Sequence, residues 1–180
     1  MKGMLICSNH ITFADPVVLH YAFMKRRLHS LALAQFFNTK FKRFLFNNMN
    51  CIPVDRDNFS MQSFHAVCDL LKDGKAVVIF PEGQINREET VGMLSLKSGA
   101  VLMAHQSNVP IIPVYMLPAK HWYNRRVIMV GEPIFVRDVC GDRPSISAIG
   151  AVSDILRERE LELKENYVKR KEKTHDKSDK

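Results

Sequence analysis

The sequence predicts an α/β fold: a largely parallel, mixed central sheet flanked by helices on both faces. Three observations carry this expectation. Short apolar runs alternate along the chain with segments of helical periodicity. The apolar runs are continuous rather than alternating, as in strands covered on both faces. Polar clusters follow several of these runs, at the carboxyl ends where such sheets hold their ligands. With 180 residues and no repeat or domain break, one domain is expected.

The elements follow in order. KGMLICSN (2–9) reads as a short buried strand. DPVVLHYAFMKRR (15–27) reads as a helix, with Asp15 as its N-cap and Pro16 at the first helical position, where no amide is needed. LHSLALAQ (28–35) is a second strand, and FFNTKFKRFLFNNM (36–49) a helix with an apolar face. CIPVDR (51–56) is a short strand running into a loop. In SMQSFHAVCDLLKDG (60–74), Met61, Phe64, Cys68 and Leu71 share one helical face, and Gly74 is placed to end the helix. KAVVIFPEG (75–83) is the strongest strand. MLSLKSGAVLMAHQS (93–107) is a helix, VPIIPVYM (109–116) a strand, and RRVIMV with PIFV a final strand pair. A last helix covers 144–168, closing a domain over 1–168. Residues 169–180 read as a fraying polar tail.

Composition narrows the function classes. At 46% hydrophobic and 25% charged, the chain is globular rather than disordered. Cys7, Cys51, Cys68 and Cys140 lack any paired spacing, so neither a zinc site nor a disulfide framework is indicated. Buried reduced thiols and a cytoplasmic setting are expected. No signal peptide is evident, and no apolar run nears the roughly 20 residues that span a bilayer, so any membrane contact is expected to be peripheral. The net charge is +7, of which residues 157–180 contribute only +2, from nine Lys/Arg and seven Asp/Glu. No acidic residue stands between Asp15 and Asp55. Lys25, Arg26, Arg27, Lys40, Lys42 and Arg43 fall there, interleaved with Tyr21, Phe23, Phe36, Phe37, Phe41, Phe44 and Phe46. Such a stretch suits an anionic membrane surface. It is equally read as core rings beside a solvated basic face.

Four segments could carry chemistry, one of them VPIIPVYM, which is apolar and equally read as a core strand. In SNHITFADP, His10 and Asp15 are five apart. An imidazole can take a proton from an attacking hydroxyl, while a carboxylate on its other nitrogen fixes the tautomer. On a continuous helix five residues turn through about 500° and the side chains diverge, so the pair needs a loop-to-helix junction. Chance supplies roughly 0.4 H-x4-D matches in such a composition, and a loop histidine beside a capping aspartate is the plain alternative. In IFPEGQINRE, Glu82 and Gly83 follow a buried strand; glycine admits a close ligand and the carboxylate can bind a hydroxyl, or the segment is a simple turn. In NCIPVDRDN, Arg56 can fork onto a phosphate, or pair with Asp55 or Asp57. No G-x-S-x-G elbow is present.

The order of the pieces is specific. SNHITFAD, CIPVDR, VIFPEG and VPIIPVY closely resemble the four blocks of the glycerolipid acyltransferases, over roughly residues 5–135, and LSLKSGAVLMA resembles the segment after their third block. The resemblance implies an α/β enzyme that moves an acyl chain from acyl-CoA or acyl carrier protein to a lysophospholipid hydroxyl, 1-acyl-glycerol-3-phosphate first, giving phosphatidic acid. It implies His10 as general base and Asp15 as its orienter. Arg56 would bind the acceptor phosphate, Glu82 and Gly83 would line the acceptor site, and Pro110 to Val114 would support a pocket. Family members often read FPEG-T-R-S, whereas this chain reads FPEG-Gln84-Ile85-Asn86, with Ile85 at the usual arginine position and Arg87 two residues on as the candidate substitute. Another lysolipid acceptor is therefore an alternative.

A thioester is already activated, so a base and a positioned hydroxyl suffice, and neither metal nor cofactor is called for beyond the acyl thioester itself. The expected partners are lysophospholipid, acyl thioester, the inner face of the membrane and an acyl carrier protein. Relatives often carry a membrane-associated segment before the first block. Nine residues precede His10 here, so docking falls to residues 20–46 or to a trimmed start. A silent lipid-binding relative is the second reading. A nucleic-acid-binding module, suggested by charge alone, is set aside because it leaves H-x4-D and FPEG unexplained.

Overall fold

Alternation along the central strand sets the architecture. On β1 (Met4–Ser8), Leu5 and Cys7 enter one apolar core and Ile6 the other. The neighbouring strands β4 (Ala76–Ile79) and β5 (Ile111–Met116) divide in the same way: Val77, Ile79 and Ile111 face one side, Val78, Ile112 and Val114 the other. This computed structural model describes residues 2–54, 60–86, 96–119 and 126–178. The remaining strands are β2 (Leu28–Leu33), β3 (Cys51–Val54) and β6 (Ile128–Val130). Together they form one six-stranded sheet in the order β3-β2-β4-β1-β5-β6, parallel throughout except for the antiparallel β5–β6 edge.

Right-handed crossovers decide which face each helix covers. From β1 the chain passes beyond β4 to β2 through α1 (Asp15–Ala22), moving toward the β3 edge. From β3 it returns through α3 (Met61–Lys72) to β4, and through α4 (Gly99–Ser107) to β5. Opposite directions require opposite faces. Accordingly Leu19, with Val18 and Phe23, covers Ile6, Val78 and Val114, while Val67, Leu71, Val101 and Ala104 pack with Leu5, Cys7 and Val77. Adjacent strands β1 and β4 thus send their connections to different sides, which opens a crevice at their shared carboxyl edge.

Several boundaries differ from the sequence expectation. PIFV adds no strand beyond an isolated bridge from Ile134 to Ile111, because the chain turns there into a short helix, α5 (Val136–Cys140). Residues 34–37 form a 3-10 turn ahead of α2 (Lys40–Asn48), so the expected helix is divided. α4 starts at Gly99, and the first part of its expected range lies outside the described residues. α3 matches closely: the Ser60 hydroxyl accepts from the Ser63 amide, and Gly74 ends the helix with φ +78°. All four cysteines are buried free thiols.

The last helix, α6 (Ile146–Ser178), continues well past residue 168. Its later turns carry i,i+3 and i,i+4 ion pairs, Arg159–Glu162 at 3.1 Å and Lys169–Glu165 at 3.5 Å, which support an exposed helix modestly. Its first half is core. Val152, Leu156 and Glu160 recur every four residues on one face, and all three are buried. Neither Glu160 oxygen has a hydrogen-bond partner among the described residues. Burial raises its pKa well above the ordinary glutamate range, and Glu82 nearby adds to the rise.

The sign of the pH dependence follows. The unfolded chain releases the Glu160 proton at about pH 4.3, whereas the folded chain holds it to higher pH. Unfolding is therefore progressively favoured as pH rises through that window. Glu160→Gln, which keeps shape and removes the titration, should raise Tm near pH 8 and do so much less near pH 4. Equal Tm changes at both pH values in thermal melts would refute a buried neutral carboxyl.

Candidate active site

Asp15 is the centre of the crevice. It does not cap α1, as the sequence suggested; the N-cap is Ala14, which makes no side-chain cap, and Asp15 is the first helical residue. Its carboxylate points back into the His10–Ala14 loop. Oδ2 accepts from His10 Nδ1 at 2.9 Å, from the Ile11 amide at 2.6 Å and from the Thr12 amide at 2.7 Å. Oδ1 accepts from the Thr12 hydroxyl at 2.7 Å and from Arg126 Nη1 at 2.9 Å. Burial by itself would raise the Asp15 pKa. The hydrogen bonds from His10, Thr12 and Ile11 outweigh it, and the carboxyl titrates below its usual range.

A carboxylate only accepts, so His10 Nδ1 carries the proton, and in the neutral ring Nε2 has the lone pair. The ring is held from a second direction by Phe80, stacked on it with centroids 4.1 Å apart and planes 21° off parallel. Its side chain is 17% exposed, enough for a ligand atom to reach it. The loop-to-helix junction that the pair requires is thus present. The peptide before His10 is pinned as well: the Asn9 side chain donates to the Met116 carbonyl at 3.0 Å and accepts from the Met116 amide at 2.7 Å. That exchange lengthens the β1–β5 ladder beyond its last strand pair.

The loop after β4 closes over the same edge. Glu82 is buried, and its Oε1 accepts from the His10 amide at 3.4 Å; the Asn86 amide donates to the His10 carbonyl at 2.7 Å. Glu82 therefore braces the histidine loop from below. Gly83 has φ +71°, in the left-handed region, and a Cβ there would stand 2.8 Å from Lys97 Cε. The turn needs this glycine regardless of any ligand. Ile85 sits partly buried in the same loop. Arg56 and Arg87, the two cations expected to meet an acceptor phosphate, lie outside the described residues.

Sequence reasoning missed Arg126, Thr12, Asn9 and Phe80. Thr12 and Asn9 lie inside the first motif and could have been weighed as loop-bracing hydrogen bonders. Arg126 is 111 residues from Asp15, and only the pairing of β6 beside β5 brings it there. Among the described residues no group of three or more His, Cys, Asp or Glu side chains could hold a metal ion.

Fold and site together define a class: an α/β enzyme scaffold with a carboxylate-backed histidine at the carboxyl edge of a parallel sheet. The comparisons place it within that class. The chain belongs to the acyltransferase family, whose profile matches residues 1–117. It is 28% identical over 167 residues to the 1-acyl-sn-glycerol-3-phosphate acyltransferase of Bacillus subtilis (strain 168), covering 90% of this chain and 81% of that protein. A probable 1-acyl-sn-glycerol-3-phosphate acyltransferase of Mycoplasma pneumoniae is 30% identical over 122 residues, 63% of this chain and 44% of that protein. This chain thus spans less than half of the length of that relative. The crystal structure of the LPA acyltransferase PlsC from Thermotoga maritima shares the fold, with a TM-score of 0.67 over 91% of this chain and 67% of that one, at 18% identity.

Proposed function

We propose that this acyltransferase moves a fatty acyl chain from a thioester, acyl-CoA or acyl carrier protein, to the free hydroxyl of 1-acyl-glycerol-3-phosphate, forming phosphatidic acid. The observation that carries the reading is the His10–Asp15 pair, set at the β1 edge beside the FPEG turn, with Nδ1 committed to Asp15 and Nε2 left for a substrate. Nε2 removes the acceptor hydroxyl proton as the oxygen attacks the thioester carbonyl. The C–S bond then breaks, and the imidazolium returns the proton to the departing thiolate. No metal, cofactor or covalent nucleophile enters the scheme. Ile85 at the usual arginine position favours testing other lysolipids beside the phosphate.

The experiment is thiol release from oleoyl-CoA and from an acyl carrier protein thioester, each with a panel of lysolipids on vesicles. Acceptor-dependent release supports the reading, and the preferred lysolipid tells which headgroup the altered third block accepts. Release from neither donor with any acceptor, by folded protein that still binds vesicles, would favour a silent lipid-binding relative.

A surface for the bilayer accompanies the site. Phe13, Val17, Tyr21 and Met24 follow one another every three or four residues along the outer side of the α1 region, and all are exposed. On α2, Phe41 is 75% and Phe44 66% exposed, beside Lys40, Lys42 and Arg43. Phe36, Phe37 and Phe46 instead pack on one another, and Phe36 meets Phe13 edge-on at 6.4 Å. The aromatic run thus divides between local packing and an outward face. No helix among the described residues is long and apolar enough to cross a membrane. The outward rings and cations fit peripheral docking on the anionic cytoplasmic leaflet. Phe41→Ser with Phe44→Ser should weaken binding to anionic vesicles about tenfold or more, and added salt should weaken the remainder. Unchanged partition in a vesicle co-sedimentation assay would remove this face as the docking surface.

A further inference from the structure

We infer that Arg126 is a positioning residue for the base: its guanidinium locks the Asp15 carboxylate in the rotamer that holds His10, and offsets the charge of that carboxylate. Nη1 donates to Asp15 Oδ1 at 2.9 Å, and Nη2 donates to the Thr12 hydroxyl at 3.1 Å. That hydroxyl donates in turn to the same Oδ1. The three side chains close a ring of hydrogen bonds, so neither Asp15 nor Thr12 can rotate without breaking two contacts. Arg126 is 10% exposed and Asp15 fully buried, which places the ion pair where water screens it weakly.

Two consequences separate this role from simple bracing. The carboxylate faces a cation on Oδ1 and the imidazole on Oδ2, so an imidazolium at His10 gains less from Asp15 than it would from a lone carboxylate. Among the described residues, the charged groups that meet the His10 loop or its partner are Asp15 from α1, Glu82 from the loop after β4, and Arg126 behind Asp15, with Lys97 beside Gly83 in that same β4 loop. Of these, Arg126 alone touches the oxygen opposite the imidazole. The second consequence is kinetic: Arg126 meets Asp15 and Thr12, not the open side of His10, so its loss should act on turnover more than on substrate binding.

The inference rests on His10 as the base, and the test has one arm that does not need activity. In Arg126→Gln, kcat should fall about tenfold or more with little change in either KM, and the acid limb of kcat/KM should move to higher pH. By NMR, the pH at which the His10 ring signals change should rise in Arg126→Gln and return toward wild type in Arg126→Lys, which restores charge without the second hydrogen bond. The NMR arm reads out even if no acyl acceptor is found, so failure of the proposed reaction and failure of this inference are distinguishable. An Arg126→Gln protein with an unmoved His10 transition, losing activity only in step with its Tm, would reduce Arg126 to a structural brace. A rise in acceptor KM alone, with an unmoved His10 transition, would make it a substrate contact instead.

Discussion

His10→Ala should yield a folded protein in which acyl transfer is lost by about 10³-fold or more. The imidazole is the group whose Nδ1 is committed to Asp15 and whose Nε2 is left able to accept a proton. Nothing else described in the crevice offers a base so placed: Glu82 is buried and bonded to the His10 backbone, and Asp15 has donors on both oxygens. Folding should survive because the side chain is partly exposed and Asp15 keeps its four other donors; the losses are one hydrogen bond to Asp15 and the stacking contact with Phe80. The check is acceptor-dependent thiol release beside a Tm measurement. Turnover within a few-fold of wild type would remove His10 as the base, whatever the fold.

Asp15→Asn separates orientation from charge and should cost about 10³- to 10⁴-fold in kcat. An asparagine that donates its amide to His10 Nδ1 forces the imidazole proton onto Nε2, the nitrogen that must accept. In that orientation the same amide also meets the Ile11 and Thr12 backbone donors; turned the other way it meets the Thr12 hydroxyl and the Arg126 guanidinium, so no rotamer satisfies all five contacts. Asp15→Ala should do something different. It leaves a nearly buried arginine and two backbone amides without their acceptor, and should cost about 3–5 kcal/mol of stability. Denaturant midpoints separate the two: activity is lost in both, and Asn, which keeps one acceptor oxygen, loses less stability than Ala. Because the Asp15 pKa is lowered in the folded state, its stabilising contribution is present above the ordinary aspartate range and fades as pH falls below it. The Asp15→Asn protein should accordingly show a shallower loss of stability on acidification.

The continuous apolar runs at 4–8, 76–79 and 111–116 announced buried parallel strands, and those strands form the middle of the sheet. The H-x4-D spacing gave the pair, and the polar clusters gave the edge on which it sits. Asp15 was misread as a cap because capping is the commonest use of an aspartate before a helix. Its donors come from the loop and from Arg126, just ahead of the distant strand β6, not from the helix. Glu160 entered the sequence reading only as one of the charges of residues 157–180, yet it continues the Val152–Leu156 face into the core. A charge pattern read along the chain cannot register which face of a helix another layer covers. PIFV had the composition of a strand, but strand formation requires a partner edge, and beyond Ile134 the chain leaves the sheet for α5.

By itself, then, the sequence determined the α/β class, the central strands and the identity of the His10–Asp15 pair, because periodicity, turn chemistry and motif spacing are local properties of a chain. Only the tertiary structure decided what surrounds the pair. Arg126 on Asp15, Phe80 on His10, the Asn9 clasp on Met116 and the burial of Glu160 arise where strands and helices distant in sequence meet. Those contacts are set by sheet order and crossover handedness, which no short stretch of residues encodes.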